Sequence, residues 1–209
     1  MKGKAERRAC ALALAVGLIA SAAAAQDGAR FSTLEDFSGA VVATMTGTIH
    51  DQTMSASVDG VEYQYYDDVS SMLLALQNGV VDALVTDLPI ARLAVARQPG
   101  LAIFPETLAP DSYGLGLPKG SPLTDQISAI IEQYEADGTL DALAEKWMGS
   151  DESVKQLEIE EYDAPNGVLR YAHDSTTEPM SYVGDDGSSM GYEVELVYLI
   201  ARELGMELE

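Results

Sequence analysis

This chain has almost no cysteine, little positive charge and, after residue 25, no apolar run long enough to cross a bilayer. Each shortage excludes something. The single cysteine, Cys10, stands at the head of an N-terminal apolar stretch, so residues 26–209 carry no thiol. Disulfides, cysteine-ligated zinc and cysteine nucleophiles drop out of that part of the chain. Twelve Lys and Arg against 34 Asp and Glu give a net charge of −22. Such a surface repels phosphate backbones and anionic lipid heads, so neither nucleic acid nor a membrane surface is an expected partner. The two histidines, His50 and His173, have no second ligand at helical spacing and read as surface or cleft polar residues, not as a metal site. A Gly-Lys-Ser/Thr phosphate loop and a nucleophile elbow are both missing. Asp67-Asp68 and Asp185-Asp186-Gly187 lack the alternating oxygens of a calcium loop and read as turns. No cofactor, metal or catalytic residue is implied.

What is present begins with an export address. Lys2, Lys4, Arg7 and Arg8 precede the apolar run Ala11–Ala20, and Ser21-Ala22-Ala23-Ala24-Ala25 follows it. That is the charged, apolar and small-residue order of a cleavable signal peptide. A cut is expected after Ala25, and losing the four basic residues with Glu6 takes the net charge from −22 to −25. A short buried helix is the competing reading, but the stretch is apolar all round and has no polar face.

From Gly39 onward the pattern alternates strand and helix, which means a mostly parallel α/β sheet. Ala40–Met45, Val61–Tyr66, Val80–Thr86 and Leu101–Phe104 read as strands, with Tyr113–Pro118 a further candidate. Helices are expected from near Thr48, over Val69–Leu76 before Asn78-Gly79, and from Pro89 to Arg97. Two more should follow, from Ser121-Pro122 to Ala136 and from Thr139 to Trp147. Residues 150–166 are acidic and end in Pro165-Asn166-Gly167, as a linker would. Beyond them, Val168–Ala172 and Ser181–Val183 read as strands. Tyr192–Leu204 reads as a helix burying Val194, Val197, Tyr198 and Ala201, and Met206–Glu209 as the start of another strand. The expected organisation is a signal over 1–25, a domain over 26–149, a linker over 150–166 and the start of a second domain over 167–209.

Open α/β sheets place ligand-binding groups at the carboxyl ends of their strands. Thr46-Gly47-Thr48 and Asp87 both occupy such positions, each leading into a helix. Spacing alone leaves two readings open, helix caps or ligand contacts.

The run Thr33-Leu34-Glu35-Asp36-Phe37-Ser38-Gly39, then Thr46-Gly47-Thr48, then Tyr66-Asp67-Asp68-Val69 through Leu76-Gln77-Asn78-Gly79-Val80-Val81-Asp82-Ala83, resembles the second lobe of the bacterial extracellular solute-binding proteins of family 3. Asp87, Tyr113-Gly114-Leu115-Gly116, Asp137-Gly138-Thr139-Leu140 and Lys146-Trp147-Met148-Gly149 continue the match in the family's order. Leu169-Arg170-Tyr171-Ala172-His173-Asp174, Glu178-Pro179-Met180-Ser181-Tyr182 and Gly191-Tyr192-Glu193-Val194-Glu195-Leu196 are similar to the opening of the same family's first lobe. The two pieces stand in permuted or tandem order. The resemblance implies a periplasmic-binding-protein type II lobe with an incomplete start of a second.

Carried over, it implies that Thr46, Gly47 and Thr48 meet a ligand carboxylate, that Asp87 holds its ammonium, that Asp174 faces its side chain, and that Met180 and Tyr182 stand in the ligand-facing loop, where Tyr182 reads equally as a packing residue. Met180 replaces the family's usual aromatic and Thr177 its frequent stacking tyrosine. The arginine that grips the carboxylate would lie beyond Glu209. Residues 167–209 are too few to build a first lobe unless they dock onto the helices between Ser121 and Trp147. The implied function is periplasmic or extracellular capture of a polar amino acid for the membrane permease of an ABC transporter. A sensor module and a cleft enzyme are the alternatives, and for the enzyme Glu178 is the one acid in view.

Overall fold

The computed structural model describes residues 14–21, 31–111 and 113–209. They form two compact units. A sheet unit comprises Leu14–Asp111 with Thr176–Pro179, and a helical unit comprises the described residues of 112–175 with 180–209.

The sheet unit is built on β1 (Leu14–Ser21), β2 (Val41–Met45), β3 (Glu62–Tyr66), β4 (Ala83–Asp87) and β5 (Leu101–Ile103), in the order β3-β2-β4-β1-β5. β2 runs parallel to β3 and β4, whereas β1 is antiparallel to β4 and β5. The two-residue strand Pro110–Asp111 also pairs with β1. Helices cover both faces, as a mixed α/β sheet with strands buried on both sides requires. α1 (His50–Ser55) lies on one side with Phe31, Phe37 and Phe104, and α2 (Val69–Gln77) and α3 (Leu88–Arg97) lie on the other.

Strand alternation distributes the core. Val16, Leu18, Val42, Ala83 and Val85 point to the α1 side, and Ile19, Ala43 and Leu84 to the α2/α3 side. Each fully buried Val, Leu or Ile stabilises by about 1.5–3 kcal/mol. Local chemistry sets the helix starts. Asp68 caps α2 by accepting from the Ser71 amide at 2.8 Å and its hydroxyl at 2.9 Å, bonds that hold the Asp68 carboxyl below its ordinary range. Pro89 sits in the first turn of α3.

β1 lies inside the stretch expected to be a signal peptide. Apolar on every side, that stretch has no helical face, and it suits a strand covered on both faces: Val16, Leu18 and Ile19 are at most 1% exposed. The expected cut after Ala25 falls outside the described residues. The other departures are smaller. Val80 stays exposed and β4 begins only at Ala83, while Tyr113–Pro118 runs without strand pairing. α1 begins at His50, capped in position by Ile49, so Thr48 is not its cap.

The helical unit packs α4 (Leu123–Asp137), α5 (Thr139–Met148) and α6 (Tyr192–Leu204) together. Val194, Val197, Tyr198 and Ala201 are all buried, and Gly205, at φ 60°, ends α6 in the left-handed conformation glycine favours. The Tyr134 hydroxyl donates to the Leu199 carbonyl at 3.2 Å. Glu195 accepts from the Trp147 indole at 2.6 Å and from Lys146 Nζ at 2.7 Å. Val168–Leu169 and Glu207–Leu208 form a parallel pair. Residues 167–175 and 180–209 therefore dock on the helices after Ser121, and the unit boundary falls near residue 112 instead of at 149. Residues 150–166 are not a free linker either. The Glu160 amide donates to the Tyr198 hydroxyl at 2.8 Å and the Tyr162 hydroxyl to the Met206 carbonyl at 2.8 Å.

Candidate functional site

In the sheet unit, β2 and β4 end side by side. Val42 pairs with Ala83 and Ala43 with Leu84, so continuing the register brings Thr46 level with Asp87. Past Met45 the chain turns through Gly47 at φ 82°, a conformation that favours glycine. The Thr48 hydroxyl closes this turn by donating to the Met45 carbonyl at 2.8 Å, and the Thr46 amide donates to the Tyr66 carbonyl at 2.8 Å. Thr46 and Gly47 are exposed and Thr48 half-buried.

Asp87 is the last residue of β4 and stands at the cap position of α3, but its side chain makes no capping hydrogen bond. It meets His50 instead, with Oδ1 3.1 Å from Nε2. Asp87 is 8% exposed and His50 4%. An ionised carboxylate only accepts, so Nε2 carries the proton in this pair. His50 Nδ1 and the Thr44 hydroxyl are buried without a hydrogen-bond partner among the described residues. Such groups are costly unless something supplies a partner. His50, expected as a surface or cleft polar residue, is thus not on the surface but is a buried polar residue beside the end of β4. The parallel pairing of β2 with β4 was the signal that could have found it, because it sets the first residue of α1 above the end of β4.

The helical unit has its own candidate, a cavity of about 540 Å³. Leu115, Leu169 and Ile200 contribute apolar wall, and Tyr171, Asp174 and Glu193 contribute polar groups. Tyr171 donates to Glu193 Oε2 at 3.3 Å and stacks on His173 with ring centres 5.4 Å apart. Burial raises the Glu193 carboxyl above its ordinary range, although hydrogen bonds from Ser181 and Tyr171 oppose the shift. Burial, reinforced by the Glu193 charge, also raises the Tyr171 phenol.

Of the ligand-facing residues expected beyond residue 167, Asp174 lines this cavity and is exposed, and its carbonyl accepts from the Ser181 hydroxyl at 2.6 Å. Met180 and Tyr182 do not line it. Met180 is 1% exposed in a core cluster with Leu143, Trp147 and Tyr192, and the Tyr182 ring meets Trp147 edge-on at 6.3 Å. An apolar side chain following Pro179 is drawn to the largest apolar neighbour it can reach, which here is the indole. Glu178 is gripped by both terminal nitrogens of Arg97, at 2.6 and 2.7 Å. A carboxylate so paired is an acceptor, not a proton donor. Among the described residues no His, Cys, Asp and Glu cluster could hold a metal ion, and no helix is long and apolar enough to cross a membrane.

No family model matches the chain. It is 32% identical over 122 residues to the L-cystine-binding protein TcyJ of Escherichia coli, covering 57% of this chain and 46% of that protein. It is 34% identical over 142 residues to the glutamate-binding protein GluB of Corynebacterium glutamicum, covering 62% of this chain and 46% of that protein. Among solved structures, an ancestral arginine-binding protein bound to glutamine superposes with a TM-score of 0.56 at 30% identity, covering 66% of this chain and 61% of that one. The chain thus spans about half the length of the two curated relatives, and all three are amino-acid-binding proteins. The α/β architecture matches their type II periplasmic-binding-protein lobe.

Proposed function

We propose that this chain is part of an exported solute-binding protein that captures a polar amino acid and delivers it to the permease of an ABC transporter. The observation that carries the reading is the buried Asp87 carboxylate at the carboxyl end of β4, level with the Thr46-Gly47-Thr48 turn at the end of the parallel neighbour β2. A carboxylate in low dielectric is suited to an ammonium group, and in the turn beside it the Gly47 amide and the Thr46 hydroxyl are the donors not committed to Met45 or Tyr66 and so suited to a carboxylate. The names of the relatives support an amino acid as the ligand class. In this reading His50 keeps Asp87 paired until the ligand ammonium arrives, and its unpartnered Nδ1 is a second polar group at the same place. Glu178, committed to Arg97, lends no support to an enzymatic reading.

The test is calorimetry of the intact gene product with L-cystine, L-glutamate, L-glutamine and L-arginine, beside its Asp87→Ala variant. One ligand is expected to bind, and the variant to lose roughly 2–5 kcal/mol, the cost of stripping a desolvated charge of its partner. Equal affinities would return Asp87 to a purely structural role opposite His50. No binding by any amino acid would point to a different ligand class.

A further inference from the structure

The apolar heart of the N-terminal segment is fitted to two uses that cannot coincide. As an export signal it must stay accessible, because a signal peptide is recognised through its apolar core. In the folded chain residues 16–20 of the same stretch are all buried within the sheet. We propose that β4 on one side, and β5 with Pro110–Asp111 on the other, form a strand-accepting slot whose occupant is the chain's own Leu14–Ser21, so that a folded sheet unit and an accessible signal exclude one another.

The slot is specific in direction, register and chemistry. Residues 16–20 pair antiparallel with 87–83 of β4, while 19–21 pair with 103–101 of β5 and 14–15 with 111–110. Both edges of the occupant are satisfied at once: the β4 ladder takes one, and on the other the Phe104 amide donates to the Leu18 carbonyl at 2.7 Å, the Leu108 amide to the Val16 carbonyl at 3.0 Å, and the Val16 amide to the Ala109 carbonyl at 3.1 Å. Both faces are covered as well. Leu18 packs in the cluster of Phe37, Met54 and Phe104, and Ile19 in the cluster of Met72, Leu84 and Ala91. Gly17 lies against Leu88 and Ala91 of α3.

A polar residue on either face would be buried without a partner, so only a segment apolar at successive positions fits. That is the pattern an export signal also needs and a half-exposed strand does not. Since Val16 pairs with Asp87, filling the slot also braces the end of β4 where the candidate site lies.

Occupancy is read directly by thiol labelling of the full-length chain carrying Cys10→Ser and Leu18→Cys. The new thiol is expected to react with a maleimide on the order of 100-fold or more slowly in native buffer than in urea, because labelling must wait for the slot to open. Equal rates in the two conditions would overturn the proposal. The second measurement is hydrogen exchange at the Phe104 amide. Protection is expected in the full-length chain, loss of protection in a chain starting at Gln26, and recovery when a lysine-flanked peptide of residues 14–21 is added but not when its scrambled counterpart is. Equal protection of Phe104 in the two chains would show that the slot needs no occupant. Should the shorter chain fail to fold with the peptide present, labelling and exchange in the full-length chain decide the matter.

Discussion

The sheet unit and the helical unit enclose their interiors in different ways. In the sheet unit, five strands and the short Pro110–Asp111 segment interleave from separate stretches of chain, both faces of β1, β2 and β4 are covered, and the buried Asp87 is met by His50. In the helical unit, α4, α5 and α6 close around Ile200 and Trp147. Their strand support is short, the parallel pair at Val168 and Glu207 and the antiparallel pair of Ser181–Val183 with Ser189–Met190, and an apolar-walled cavity of about 540 Å³ lies in the same unit. Well-packed interiors leave few voids larger than a water molecule. One unit has thus used its apolar surface for cohesion, and the other has kept room beside titratable groups. The lesson is that the two units use long-range contact differently: in one it delivers strands that fill the interior, and in the other it brings one late helix onto two earlier ones and leaves space beside them.

A charge placed in each interior tests that contrast most severely. Leu84→Asp, at a fully enclosed position, should cost more than about 4 kcal/mol, whereas Leu169→Asp, on the cavity wall and half-buried, should cost about 1 kcal/mol. Urea unfolding followed by far-UV circular dichroism measures both, and equal costs would erase the distinction.

The cohesion of the helical unit rests instead on Glu195, which bridges Lys146 and the buried indole of Trp147. Glu195→Ala strands the indole N–H and should cost about 2 kcal/mol. Trp147 is the only tryptophan, so a red shift of its emission at reduced denaturant reports on this unit specifically. An unchanged emission profile would mean that water or a neighbour takes over the N–H.

Glu193 sharpens the comparison through pH. Burial raises its carboxyl pKa in the folded chain, so the native state holds a proton that the unfolded state releases. Its contribution is therefore fully present below the unfolded pKa and lost as pH rises through the folded one. Glu193→Gln should remove this loss, melting higher than the parent near neutral pH and gaining little in acid. Melting curves across that range check the sign, and a variant less stable than the parent at neutral pH would contradict it.

The smallest effect belongs to the surface of the sheet unit. Arg97 and Glu178 form a forked pair, but the Arg97 side chain is 45% exposed. Arg97→Ala should cost less than about 1 kcal/mol and cost still less in high salt. A larger, salt-insensitive loss would show that the pair is effectively buried in solution.

The elements that could be read from the sequence are those whose causes are local. α2 begins at Asp68 and ends at Asn78-Gly79, α3 carries Pro89 in its first turn, and α6 spans the whole of Tyr192–Leu204 up to Gly205, because caps, prolines and left-handed glycines act within one turn of chain. The strand-end positions of Thr46–Thr48 and Asp87 were legible for the same reason: a β-branched run and the turn after it are neighbours in sequence. Tertiary structure decided whatever depends on partners far along the chain. Only pairing with β4 and β5 makes Leu14–Ser21 a strand, and only the alignment of β2 with β4 brings His50 onto Asp87. Tyr113–Pro118 has strand-like composition but pairs with no strand among the described residues, Met180 is drawn into the Trp147 core, and residues 167–175 and 180–209 join the helices after Ser121 across an acidic stretch that reads as a linker. Apolar pattern specifies that a segment will be buried. Which neighbour buries it is set by the free energy of the assembled core, and that belongs to no single stretch of the sequence.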